Sequence, residues 1–189
     1  MTERHRIPAP RTLAITAAIV LPFAALWLHG HLKRNEVERI AASAASEISI
    51  RDVGVSCPGP IKRRVLHSIN EGSVRFDAEG EPFDETNLSG RTCDGLRLAL
   101  DAGADLDLKC LAHNCPADAT QAAEALAVLA HEAVHLRGEI DEGRTECEAR
   151  RVVSTVARHF GLTAEASRAL AYWQGTDWAE RLADRYRAC

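Results

Sequence analysis

The chain has 189 residues, room for one domain and a short appendage, with 46% apolar and only 5% aromatic residues. Alanine and leucine supply most of the apolar content, which favours helices over sheets. Net charge is −4, and because the first 32 residues hold three arginines and one glutamate, the remainder carries −6. An acidic domain without a basic stripe cannot neutralise phosphates and makes nucleic acid a poor partner.

Thr12 to Leu28 (TLAITAAIVLPFAALWL) is an uncharged apolar run of 17 residues, extended by Gly30 and Leu32. It can span a bilayer at the short end of the usual length. Pro22 is tolerable in a membrane helix, and Trp27 lies where an interfacial anchor belongs. Arg4, Arg6 and Arg11 before the run favour a cytoplasmic N-terminus, although Lys33 and Arg34 follow it. The expected organisation is a cytoplasmic N-terminus over 1–11 and a transmembrane signal anchor over 12–32. A stalk helix and linker over 33–56 lead to an exported domain over 57–189. A cleavable signal peptide is the rival reading, but the small residues Ala42 and Ala44 lie far beyond the apolar run. Under both readings residues from about 35 onward lie outside the cytoplasm.

Val37, Ile40, Ala41, Ala44, Ala45 and Ile48 recur at helical spacing, so 35–49 should be a helix that forms a stalk or packs on the domain. A short strand is expected within 50–56, broken by Cys57-Pro58-Gly59-Pro60. SVRFD (73–77) reads as a strand, with Glu79-Gly80 as a turn and Pro82-Phe83 opening the return. The pair is read as a plain structural hairpin rather than a peptide-binding edge. Arg91 to Ala102 should be helical and end at Gly103.

A further helix should start near Pro116 or Asp118, with Asp118 as N-cap and Gln121 completing a capping box. Its core side is Leu126, Leu129, Ala130, Ala133 and Val134, and Gly138 ends it. Another helix is expected from about Asp141 to Gly161, a third capped by Thr163 and stopping near Gly175, and a fourth capped by Asp177. The fold class is therefore α+β, predominantly α-helical, with a small hairpin. All six cysteines (Cys57, Cys93, Cys110, Cys115, Cys147, Cys189) follow the apolar run, and an even number in an exported domain implies disulfides. Only Cys110 with Cys115 is locally suggestive.

The chemistry lies in His131-Glu132-Ala133-Val134-His135. Residues four apart on a helix share a face, with Cβ atoms roughly 5–6 Å apart. Two imidazoles so placed can converge on one zinc ion, and Glu132, one residue past the first, can act as general base on water there. A catalytic zinc site needs a third protein ligand. Asp141, Glu142 and Glu146 are the candidates: Asp141 through a glycine turn at Gly138, and Glu142 and Glu146 as an E-x-x-x-E pair on the next helix. In the latter case one carboxylate binds and the other steadies a histidine. His113, His159 and Tyr172 are the polar groups available to stabilise an oxyanion; each is more commonly a surface or core-edge residue.

The segment HEAVHLRGEIDEGRTECEA resembles the zincin superfamily of metallopeptidases, and within it the gluzincin-like pattern. It also resembles small bacterial membrane-anchored proteins in which an HExxH helix is followed by E-x-x-x-E-C. The resemblance covers roughly residues 125–150. It implies a compact zincin-like domain binding Zn²⁺ through His131, His135 and Glu142, with Glu146 as supporting acid and Glu132 as catalytic base. The implied activity is hydrolysis of a peptide or protein. The spacing from His135 to Glu142 is shorter than in the well-known gluzincins. The metzincin-like alternative through Asp141 lacks a methionine turn, since Met1 is the only methionine. A disulfide-stapled zinc-binding domain without turnover is the alternative from a different class.

Overall fold

The computed structural model describes residues 32, 34–59 and 71–181. The chain divides into two units, Met1–Asn35 and Glu36–Cys189, and the second carries all the elements below except the first two residues of the first helix. The expected membrane run of 12–32 lies outside the described residues except for Leu32. Among those described, no helix is long and apolar enough to cross a membrane.

Helix α1 (34–49) buries Val37, Ala41, Ala44, Ala45 and Ile48, the face its spacing predicts. That face joins the core shared by the other elements, so of the two roles open to this helix it takes the packed one. Ile50 ends it with φ of 59° while 85% exposed. A β-branched residue in the left-handed region is strained, and the conformation turns the chain so that Arg51 reaches two other elements.

The strands are β1 (Gly54–Ser56), β2 (Gly72–Phe76) and β3 (Pro82–Leu88), in the order β1-β3-β2. β2 and β3 form the expected antiparallel hairpin, with Val74 opposite Thr86 and an irregularity before Phe76. The sheet exceeds that expectation because β1 pairs in parallel with β3, Val55 opposite Thr86. Three residues of alternation cannot announce a partner 31 positions away. Thr86, central in the sheet, is fully buried and donates its hydroxyl to the Ser73 carbonyl.

Helix α2 (Gly90–Ala102) is capped by Ser89, whose hydroxyl accepts from Thr92 N, and ends at Gly103 as expected. Helix α3 (Ala117–Leu136) carries the His-Glu motif and touches α2, β2, β3 and the following helix. Its start corrects the expected capping box. Pro116 occupies the cap position without a side-chain bond, and Asp118 lies inside the first turn. Proline suits the entry to a helix, and an acid in the first turn is favoured by the helix dipole without capping anything. Leu126, Leu129, Ala130, Ala133 and Val134 are all fully buried, so the core side of this helix is the one its pattern predicts.

Helix α4 (Glu142–His159) is capped by Asp141, which accepts from Arg144 N. Helix α5 (Ala164–Trp173) is capped by Thr163, as expected. The expected break near Gly175 is absent. Gln174–Trp178 forms a wide π turn that runs directly into α6 (Ala179–Arg181), where the described residues stop, so Asp177 is internal and caps nothing. The turn is held from both ends, by the buried Gln174 side chain and by Trp178 packing on Trp173 with centroids 5.3 Å apart.

Two disulfides, Cys57–Cys93 and the expected Cys110–Cys115, staple the domain. Cys147 is disulfide-bonded as well, and no described cysteine is free.

Candidate metal centre

Helix α3 positions the site because its opposite face is anchored in the core. With Leu126, Leu129, Ala133 and Val134 locked inside, the rotation of the helix is set and His131 and His135 emerge together toward α4. Their Nε2 atoms stand 3.0 Å apart. Gly138, at φ of 105°, then turns the chain where a side chain would be strained. Glu139 ties the turn: its carboxylate accepts from Asp141 N at 2.9 Å and pairs with Arg144 at 3.0 Å. The turn delivers the first residue of α4, Glu142, to the imidazoles. Its Oε2 lies 3.1 Å from His131 Nε2 and 3.4 Å from His135 Nε2. His131, His135 and Glu142 thus form a group able to hold a metal ion.

The outer nitrogens of both rings are already engaged. His135 Nδ1 lies 2.6 Å from the Glu139 carbonyl oxygen, which can only accept, so this nitrogen carries the hydrogen. Buried Thr145 has its hydroxyl 3.5 Å from the same nitrogen. His131 Nδ1 faces Glu146 Oε2 at 3.2 Å. Glu146 is itself buried, accepts from Gln174 Nε2 at 3.3 Å and forms an ion pair with the Arg150 guanidinium at 3.6 Å. With both Nδ1 atoms donating outward, the two Nε2 lone pairs and one carboxylate oxygen face each other. Three acceptors in van der Waals contact require a cation among them, either a proton or a metal.

The electrostatics show the same demand. Burial alone would lower the pKa of His131, but the carboxylates of Glu142 and Glu146 outweigh it and raise the value to about 9. Glu142 is held below its ordinary range, chiefly by its hydrogen bond to His131.

Glu132 is only 5% exposed. Burial pushes its pKa up to about 7; the His131 charge opposes this, the Glu142 charge adds to it, and the Thr86 hydroxyl beside it opposes it again. Its Oε2 has no hydrogen-bond partner. Strand β2 makes room for it, since a Cβ on Gly72 would fall 2.6 Å from Glu132 Oε1. Phe76, on the same strand, presents its ring edgewise to His135 at 6.1 Å.

Of the three acids expected to compete for the imidazoles, Glu142 faces both Nε2 atoms. Glu146 takes the outer nitrogen of His131, and Asp141 is spent as the cap of α4. The groups considered for an oxyanion are placed otherwise. His159 bonds Glu47 of α1 at 2.8 Å, His113 is exposed, and Tyr172 is 68% exposed. Sequence reasoning missed Gly72, Thr86, Thr145 and Gln174. Only Gly72 carried a signal, because a glycine within a strand often marks close approach by another group. Comparison with protein-family models, curated proteins and solved structures returned no match.

Proposed function

We propose that the protein is a zinc-dependent metallopeptidase of the zincin type, anchored by its N-terminal apolar run with the catalytic domain outside the cytoplasm. The observation that carries this reading is the triangle of His131 Nε2, His135 Nε2 and Glu142 Oε2, with edges of 3.0, 3.1 and 3.4 Å. Ligands about 2.0–2.1 Å from a tetrahedral zinc stand about 3.3–3.4 Å from one another. The three atoms therefore already approximate one face of that tetrahedron, and two nitrogens with one carboxylate oxygen are a donor set zinc accepts. Three protein ligands leave a fourth position, as a catalytic rather than a purely structural site requires.

Bound zinc would supply a Lewis acid that acidifies water toward neutral pH and polarises a peptide carbonyl. The rest falls to the chain. His131 and His135 keep their Nε2 lone pairs inward because Glu146 and the Glu139 carbonyl hold the outer hydrogens. Glu132, unpartnered at Oε2 and with a pKa near neutrality, takes the proton of the attacking water and passes it to the leaving amine nitrogen.

The reading is tested by metal analysis and by one substitution. Full-length protein should hold about one zinc per chain, and Glu132→Gln should abolish peptide hydrolysis while retaining the metal. Folded protein without zinc, or an active Glu132→Gln variant, would remove the reading. The burial of Glu132 favours a second reading, a disulfide-stapled zinc-binding domain without turnover. It predicts the same metal content and no hydrolysis by the unaltered chain.

A further inference from the structure

A cavity of about 340 Å³ lies along the motif helix, N-terminal to the metal centre. Helix α3 contributes Glu124, Ala125 and Val128 to it. At 1.5 Å rise per residue, Val128 stands about 4.5 Å and Glu124 about 10 Å before His131, three and seven residues away on one face. A second wall begins at Glu71, the neighbour of Gly72, which backs onto Glu132. A third is Trp178, at the far end of the π turn whose first residue, Gln174, holds Glu146. Each of these three walls leads along the chain to the metal centre within a turn or two, and Arg91 and Thr92 of α2 complete the lining.

The lining is divided by polarity. Ala125, Val128 and the Trp178 ring form apolar surface, whereas Glu71, Arg91 and Glu124 supply the charges. Arg91 pairs with Glu124 at 2.6 Å, and the Glu71 charge acts on the same guanidinium more weakly. Glu71 Oε2 is fixed by the hydroxyls of Ser89 at 2.7 Å and Thr92 at 3.0 Å. These uncharged donors orient the carboxylate without cancelling its charge. Among the described residues, the lining thus combines an apolar wall with one negative charge in excess. Its complement is a long aliphatic chain ending in a cation, whose stem packs while its head stays at the polar side.

We infer that this cavity receives a lysine or arginine side chain of the peptide, adjacent to the bond presented to the metal centre, so that the substrates are basic peptides. This rests on the metallopeptidase reading for the identity of the ligand, and the experiment separates the two.

Binding is measured first, without turnover, on the zinc-loaded full chain in detergent micelles carrying Glu132→Gln. The probes are acetyl-Ala-Lys-Ala-amide and its norleucine counterpart, which has a similar stem and no charge. The lysine peptide should bind about tenfold more tightly, the size of one charge-assisted contact. Adding Glu71→Gln, which retains an acceptor for Ser89 and Thr92, should reduce that preference to about threefold or less, and 1 M salt should do the same. Glu124→Gln provides a second variant should Glu71→Gln unfold, as judged by circular dichroism. Equal binding of the two peptides, or a preference unmoved by both substitutions, overturns the inference. The unaltered chain is then given a peptide library. Cuts beside lysine or arginine support the inference, and cuts without regard to charge overturn it while leaving the peptidase reading standing. A lysine preference in binding with no cleavage of any member overturns the peptidase reading instead.

Discussion

Glu132 and Glu146 are both buried carboxylates within reach of His131, yet their surroundings assign them different work. Glu146 faces donors from His131 and Gln174 and the charge of Arg150, which makes it a fixed acceptor. Glu132 has an oxygen without a partner and a pKa raised to about 7, which makes it a group able to exchange a proton. In the metal-free protein this raised value has a definite sign. The unfolded carboxyl titrates near its ordinary 4.5 and the folded one near 7, so the folded state binds the proton more tightly and loses stability as pH rises between those values. Glu132→Gln should remove that loss and leave the metal-free variant more stable than the unaltered chain at pH 8, by about 1–3 kcal/mol. Urea melts at pH 5 and pH 8 check it; equal stabilities at pH 8 would contradict the assigned burial. Glu146→Gln should weaken zinc binding about 10–100-fold through the orientation of His131, as read by competition with a chelator. An unchanged affinity would reduce Glu146 to a core-edge residue.

Between elements, the centre depends on a sheet edge meeting a helix. Arg51 donates to the Leu136 carbonyl at the end of α3 and to the Pro82 carbonyl at the start of β3, at 3.3 and 3.1 Å, and pairs with Asp84. It thereby ties the motif helix to the sheet. At Gly72 the Glu132 side chain lies against the strand backbone. A methyl group there would overlap the Glu132 side chain, and Gly72→Ala should displace the carboxylate. Under the proposed function the expected result is zinc retained and hydrolysis reduced about a hundredfold, with a stability loss of about 1–3 kcal/mol from overpacking. Zinc content, kcat and a denaturation curve check it together, and full activity would show that Glu132 has room to move. The hairpin was legible because alternation and a glycine turn are local signals. Its position behind the Glu132 side chain was not, since it depends on which helix the sheet meets.

Across the molecule, an alanine-rich core and disulfides share the task of holding a small domain. The two bonds whose pairing is described close loops of very different size, 36 and 5 residues in separation. Chain-entropy reasoning assigns about 4 kcal/mol to the longer loop and about 2 kcal/mol to the shorter. Replacing Cys57 and Cys93 together by alanine should therefore cost more stability than replacing Cys110 and Cys115. Urea midpoints of the two double variants test this order, and a reversed order would show that local strain outweighs loop entropy. Leu129→Ala, deep in the motif helix, should cost about 2–5 kcal/mol and loosen the metal centre by freeing the rotation of α3.

The sequence alone determined the helical periods, the glycine at which the motif helix stops, the cap of α5, and the two histidines with their intervening acid. All follow from contacts between residues close in the chain. It offered three acids within eleven residues of His135 and preferred Glu142 only through a resemblance and the pairing of two carboxylates on one helix, because the choice depends on the angle at which α4 returns against α3. Only the tertiary structure turned Glu142 toward both imidazoles, set Glu146 behind His131, and left Asp141 to cap the helix. It also brought Gly72, Thr86, Gln174 and the charged cavity into one neighbourhood. Their positions come from long-range packing of a buried helix face, which no local spacing encodes.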